Sequence, residues 1–169
     1  MIRWTKEVRM GVPFKDIVVY LDGSESSMTA AMYSIKLAVE HQAKLTAVYV
    51  VNTKALSELV KAGIFVAIER DEYQRDLQAD ADRYLRHVAK LAATKQLEID
   101  TVKLEGAIHV VVRQLLKEQK ADLLVLGGIT DIRSRREELS SETDRMMRTS
   151  PCPVLVVRDD DDIWLEFEE

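Results

Sequence analysis

Cysteine is almost absent from this 169-residue chain, the single thiol Cys152 standing between Pro151 and Pro153. One cysteine excludes an intrachain disulfide and is compatible with a reducing compartment. No cysteine cluster exists, and His41, His87 and His109 lie on separate segments without ligand spacing, so no metal site is expected. Long apolar runs are also missing. Nothing approaches the length of a membrane span, and the opening MIRWTKEVRMGVPF lacks the continuous apolar centre of a secretory signal. The expected location is the cytoplasm, with no membrane partner. Positive charge is in deficit: the formal net charge is -5 and the chain closes on RDDDDIWLEFEE. A general binder of nucleic-acid backbones needs the opposite balance, so nucleic acid is not an expected partner. Glycine is sparse as well, six in all. In GGITDIRSRREELSS none follows Gly128, and Arg133, Arg135 and Arg136 stand where a phosphate cradle would want small residues. There is no internal repeat and no low-complexity linker.

What is present is a hydrophobic content of 47%, enough for the buried core of one domain. From Asp16 onward, short runs rich in Val, Ile and Leu alternate with segments of helical spacing, the mark of a parallel sheet with crossover helices. The expected strands are 16–21, 45–51, 99–105, 122–127 and 153–158. Met28, Ala31, Met32, Ile35, Ala38 and Val39 form one helical stripe. A second runs through Leu77, Ala81, Tyr84, Leu85, Val88, Leu91 and Ala92, and a third through Ile108, Val111, Val112, Leu115 and Leu116. A shorter helix over 141–149, with Met146 and Met147 turned inward, stops at SPCP, because a residue before proline avoids helical geometry. The connection 52–69 is too apolar for a solvated loop and is expected to cover the sheet or meet a partner. Residues 1–13 and 159–169 fall outside the pattern as an N-terminal arm and an acidic C-terminal tail, flanking a domain over 14–158. Packing over another subunit and disorder both remain open for the tail.

The expected fold is α/β, a doubly wound five-stranded parallel sheet in the order 3-2-1-4-5 with helices on both faces. In such sheets ligands lie beyond the carboxyl ends of the strands where the winding reverses. That rule selects YLDGSES (20–26) and LGGITD (126–131). Asp22 supplies a hydrogen-bond acceptor, Gly23, Gly127 and Gly128 permit close backbone approach, and Ser24 suits a helix cap. In LSSETDRMM, Ser141 followed by Asp144 fits a helix cap, and the same hydroxyl and free N–H groups fit a phosphate site. Both readings stand, although Glu142 and Asp144 favour the helix dipole and repel a polyphosphate. Asp22 and Ser24 lack a histidine base, so no catalytic residue is assigned and the chain is not expected to be an enzyme.

The segment from Phe14 to Arg158 resembles the universal stress protein family. FKDIVVYLDGSESSMTAAMYSIKLA is similar to its opening strand, acidic loop and helix, and ADLLVLGG with TSPCPVLVVR to its closing half. The resemblance implies an adenine-nucleotide alpha-hydrolase-like fold, adenine and ribose contacts at Asp22 and Val50, and a dimer through the fifth strand, Pro153 to Arg158. ATP-binding members carry a phosphate motif of glycine, two residues, glycine, nine residues, then glycine and serine or threonine. Registered here, its positions fall on Gly127, Thr130, Ser140 and Ser141, so the spacing survives and two glycines do not. The resemblance is therefore closer to the A-type members without that motif. The function it implies is that of a non-catalytic cytoplasmic homodimer in stress response, acting through an unidentified protein partner, with nucleotide binding weak or absent. The alternative is an adenine-nucleotide switch in which ATP or AMP uses the degenerate loop, with the arginine cluster supplying charge.

Overall fold

The computed structural model describes residues 14–64, 66–128, 141–158 and 160–168. Five parallel strands, β1 (Asp16–Leu21), β2 (Lys44–Val51), β3 (Asp100–Glu105), β4 (Leu123–Gly127) and β5 (Val154–Val157), form one sheet in the order β3-β2-β1-β4-β5. The register is continuous through the centre: Val18 lies between Thr46 of β2 and Leu124 of β4. Asp122 precedes its strand instead of joining it. Its carboxylate accepts the N–H groups of Lys15 (2.8 Å) and Asp16 (3.2 Å), tying the start of β1 to the start of β4.

Side chains alternate across a strand, and both faces of the central strands are apolar and buried. Ile17, Val19 and Leu21 pack on one side with α1 (Glu25–His41) and α3 (Ala67–Thr94). Val18 and Tyr20 pack on the other with α4 (Ile108–Gln119) and Met146 of α5 (Glu142–Thr149). The helical stripes hold with two exceptions, Val39 and Met147, which are exposed. Met147 follows Met146 by one position, about a hundred degrees around a helix, so the two cannot share an inward face.

The connection 52–69 is not a long loop. It contains α2 (Thr53–Lys61), started by the Asn52 side chain accepting the Ala55 N–H at 3.1 Å. Leu56 of α2 is buried and the helix packs along α3, while Ile64, Val66 and Ile68 stay exposed. Helix α3 begins well before its apolar stripe, with the Glu69 carboxylate accepting the Val66 N–H at 3.1 Å.

The acidic tail forms α6 (Asp161–Glu168) and packs on its own chain. Ile163 is 2% exposed, and Trp164 Nε1 donates to Thr29 Oγ1 of α1 at 2.9 Å. Lys36 pairs with Glu166 at 2.7 Å, while Lys95 bonds the Glu166 carbonyl at 2.9 Å and lies over the Phe167 ring. These residues are thus ordered against α1 and α3 of their own chain. Trp4 and the rest of the N-terminal arm lie outside the described residues.

Candidate functional site

Strand β1 ends at Leu21 and the chain turns sharply through Asp22-Gly23-Ser24 into α1. Gly23 has φ +82°, a left-handed backbone that favours glycine, and a Cβ there would also approach the outer ring of Tyr84, with Cε2 at 2.8 Å. Asp22 Oδ1 accepts the Ser24 N–H at 2.8 Å and also the Ser24 hydroxyl. Ser24 in turn caps α1 by accepting the Ser27 N–H at 3.1 Å. This chain of bonds fixes the Asp22 carboxylate at the carboxyl edge of the sheet while leaving Asp22 exposed.

At the end of β4, Gly127 faces the first turn of α1. A Cβ at Gly127 would fall 2.6 Å from the backbone carbon of Ser26 and 2.7 Å from the nitrogen of Ser27, and one at Gly128 would fall 3.1 Å from the Val157 carbonyl. The Gly pair therefore serves the close approach of α1 and β5, whatever ligand lies beyond it. Ser141 caps α5, its hydroxyl accepting the Asp144 N–H at 3.4 Å. The reciprocal half of that cap is absent, because the Asp144 carboxylate holds Arg148 Nε at 2.8 Å.

The winding reverses between β1 and β4, and a crevice opens there in three adjoining compartments that all touch Ile108. The first, about 290 Å³, is largely apolar, with Tyr20, Tyr49, Val50, Leu56 and Leu77 in its wall and Asp22 at its rim. The second, about 430 Å³, is bounded by Asp22, Ser24, Gly127, Gly128, Ser141 and Glu142. The third, about 350 Å³, is lined by Lys54, Glu58, His109, Glu142 and Arg145. Asp22 and Val50 thus meet at the first compartment, and Asp22, Gly127 and Ser141 at the second. Thr130 and Ser140, with Arg133, Arg135 and Arg136, lie outside the described residues.

Several lining groups were not visible as site residues in the sequence. Tyr49 reads as a strand residue, yet it walls the first compartment together with Tyr20, the first residue of the selected YLDGSES stretch. Burial pushes the Tyr20 phenol well above its ordinary range, and the neighbouring Asp22, Tyr49 and Glu142 push in the same direction. Tyr49 is raised by burial first and then by Asp22. His109 is half-buried, its Nδ1 lying 3.1 Å from Glu142 Oε2. No local motif links residues 33 positions apart, so only the fold brings them together. Cys152 is half-buried beside Ser150, and burial raises its thiol pKa, as suits a packed side chain more than a nucleophile. Among the described residues no cluster of three or more His, Cys, Asp and Glu side chains is arranged to hold a metal ion, and no helix is long and apolar enough to cross a membrane.

A doubly wound parallel sheet with a switch-point crevice bordered by a strand-end carboxylate defines a class of α/β ligand-binding domains. Within that class the chain belongs to the universal stress protein family, which matches residues 13–158. A universal stress protein of Methanocaldococcus jannaschii is 32% identical over 145 residues, covering 86% of this chain and 82% of the relative. Among solved structures, the universal stress protein UspA from Lactobacillus plantarum is 26% identical with a TM-score of 0.70, covering 88% of this chain and 100% of that one. A universal stress protein in complex with cAMP is 25% identical with a TM-score of 0.65, covering 88% of this chain and 99% of that one.

Proposed function

We propose that this is a non-catalytic, homodimeric stress-response protein of the cytoplasm, acting through contacts with another protein, whose crevice receives the adenine end of a small ligand while triphosphate binding is weak or absent. The observation that carries the ligand reading is the apolar compartment of about 290 Å³ with the Asp22 carboxylate at its rim. A planar base is desolvated against Val50, Leu56 and Leu77, and a carboxylate at the edge accepts from a ribose hydroxyl or an exocyclic amine. The similar protein that holds cAMP supports the same assignment.

The polyphosphate end has less support. Gly127 and Gly128 are committed to internal packing, and no Lys or Arg borders the second compartment among the described residues. Chemistry is not favoured either. The Ser24 hydroxyl is bound to Asp22 and lies 3.2 Å from the Ser26 hydroxyl, and His109 is engaged by Glu142, so no activated nucleophile stands at the crevice among the described residues.

Titration of the nucleotide-stripped full-length protein with adenosine and AMP tests the reading. Asp22→Ala should weaken binding by about tenfold, the effect of losing one hydrogen bond to a charged group. Unchanged affinity would put the ligand elsewhere. One observation favours a second reading, an adenine-nucleotide switch: Ser141 borders the same compartment as Gly127 and Gly128, where phosphates of ATP or AMP would be received. Tight ATP binding would select it.

A further inference from the structure

Helix α4 begins at the crevice, and its cap residue Ala107 offers no side-chain acceptor to the first N–H groups. Helix starts with free N–H groups attract anions. Here the anion is internal. Glu142 Oε2 accepts the His109 backbone N–H at 3.2 Å and lies 3.1 Å from His109 Nδ1, while Oε1 accepts from Arg145 at 3.1 Å. Both carboxylate oxygens are therefore engaged, and Glu142 is itself the first residue of α5. Two helix starts and two basic side chains converge on one glutamate.

The described residues of the second compartment add negative charge in place of balancing it. Asp22 and Glu142 border the second compartment together, and no Lys or Arg does so among the described residues. Tyr20 lines the same compartment, and its phenol pKa is raised by burial first and then by Asp22, Tyr49 and Glu142. In the third compartment Lys54 and Arg145 stand against Glu58 and Glu142, and His109 is taken up by Glu142. A phosphate entering beside the base would have to displace Glu142 from His109 or sit next to it, with Asp22 opposite.

We propose that Glu142 acts as a built-in anion at the α4 start, so that the crevice selects an uncharged base or nucleoside over its phosphorylated form. The inference rests on the adenine reading of the first compartment and adds to it the charge class of the ligand. Glu142 is a specificity residue in this account, and the discrimination is set by a side chain outside the phosphate motif.

Calorimetric titration of the stripped full-length protein with adenosine, AMP and ATP, repeated on Glu142→Gln, tests it. The glutamine keeps the shape and loses the charge. In the unaltered protein adenosine should bind at least as tightly as AMP, and AMP more tightly than ATP. Glu142→Gln should raise AMP affinity by about tenfold, the size of one like-charge contact at a partly exposed site, and leave adenosine essentially unchanged. Retained adenosine binding shows that the variant is folded, and Glu142→Ala provides a second variant with the same expected direction. An AMP-to-adenosine ratio that neither substitution changes overturns the inference, as does tighter binding of ATP than adenosine in the unaltered protein. Absence of binding by all three ligands in every variant removes the adenine reading itself, and this inference with it.

Discussion

Gly127 and Ser141 both read as phosphate-loop positions, and the structure gives each an internal partner. For Gly127 the partner is the Ser26–Ser27 backbone, which cannot swing aside as a flexible side chain would. Gly127→Ala should therefore lower stability by roughly 1–3 kcal/mol, the range for overpacking a well-packed site, measured as a fall in Tm with or without any ligand. A glycine serving only a ligand would leave the unliganded Tm unchanged. Ser24 is the complementary case: its hydroxyl caps α1 and orients Asp22. Ser24→Ala should cost about 1 kcal/mol through the cap and should also weaken adenosine binding, because Asp22 loses its anchor. An equal loss of stability with unaltered binding would show that Asp22 is positioned without Ser24.

At the scale of elements, α6 is the part with the clearest energetic prediction. Its docking buries Ile163 and part of Trp164, and burial of such side chains contributes about 1.5–3 kcal/mol apiece. Truncation after Arg158 should lower Tm by several degrees, with Trp164→Ala giving a smaller drop in the same direction. Acid should loosen the same element. The Asp160 carboxyl is held below its ordinary range, chiefly by the bond from the Tyr33 hydroxyl. Its folded pKa lies below its unfolded one, so the contribution is present above the ordinary carboxylate pKa and is lost as pH falls through the folded value. Trp164 fluorescence during acid titration should report release of α6 before the sheet unfolds, and Tyr33→Phe should remove that early step. The five strands were legible because Val-, Ile- and Leu-rich runs such as VLVV and DIVVYL punctuate amphipathic stripes. Helix α2 was obscured because its apolar side chains sit among polar ones over a short span. The early turns of α3 were obscured because Ile68 and its polar neighbours face solvent and give no periodic stripe. In the site, Asp22 was legible from the strand-end Asp-Gly-Ser, whereas the His109–Glu142 contact required tertiary structure.

At the scale of the whole molecule, the two sheet edges differ. Strand β3 presents Asp100, Thr101, Lys103 and Glu105, a polar border that discourages strand addition. Strand β5 presents Leu155 and Val156, 37% and 36% exposed, beside a groove that includes Tyr33 and Leu37. This asymmetry supports pairing of two copies through β5. Val156→Lys should shift sedimentation from dimer to monomer while leaving the circular dichroism spectrum unchanged; a monomeric unaltered protein would end the dimer proposal. The bond between Thr29 and Trp164 spans 135 positions of sequence. On the ribosome, α1 emerges long before the segment that covers it, so its outer face must wait until α6 has been made. Synthesis halted after β5 would release a molecule with a finished sheet and an α1 whose outer face lacks the cover of Ile163 and Trp164.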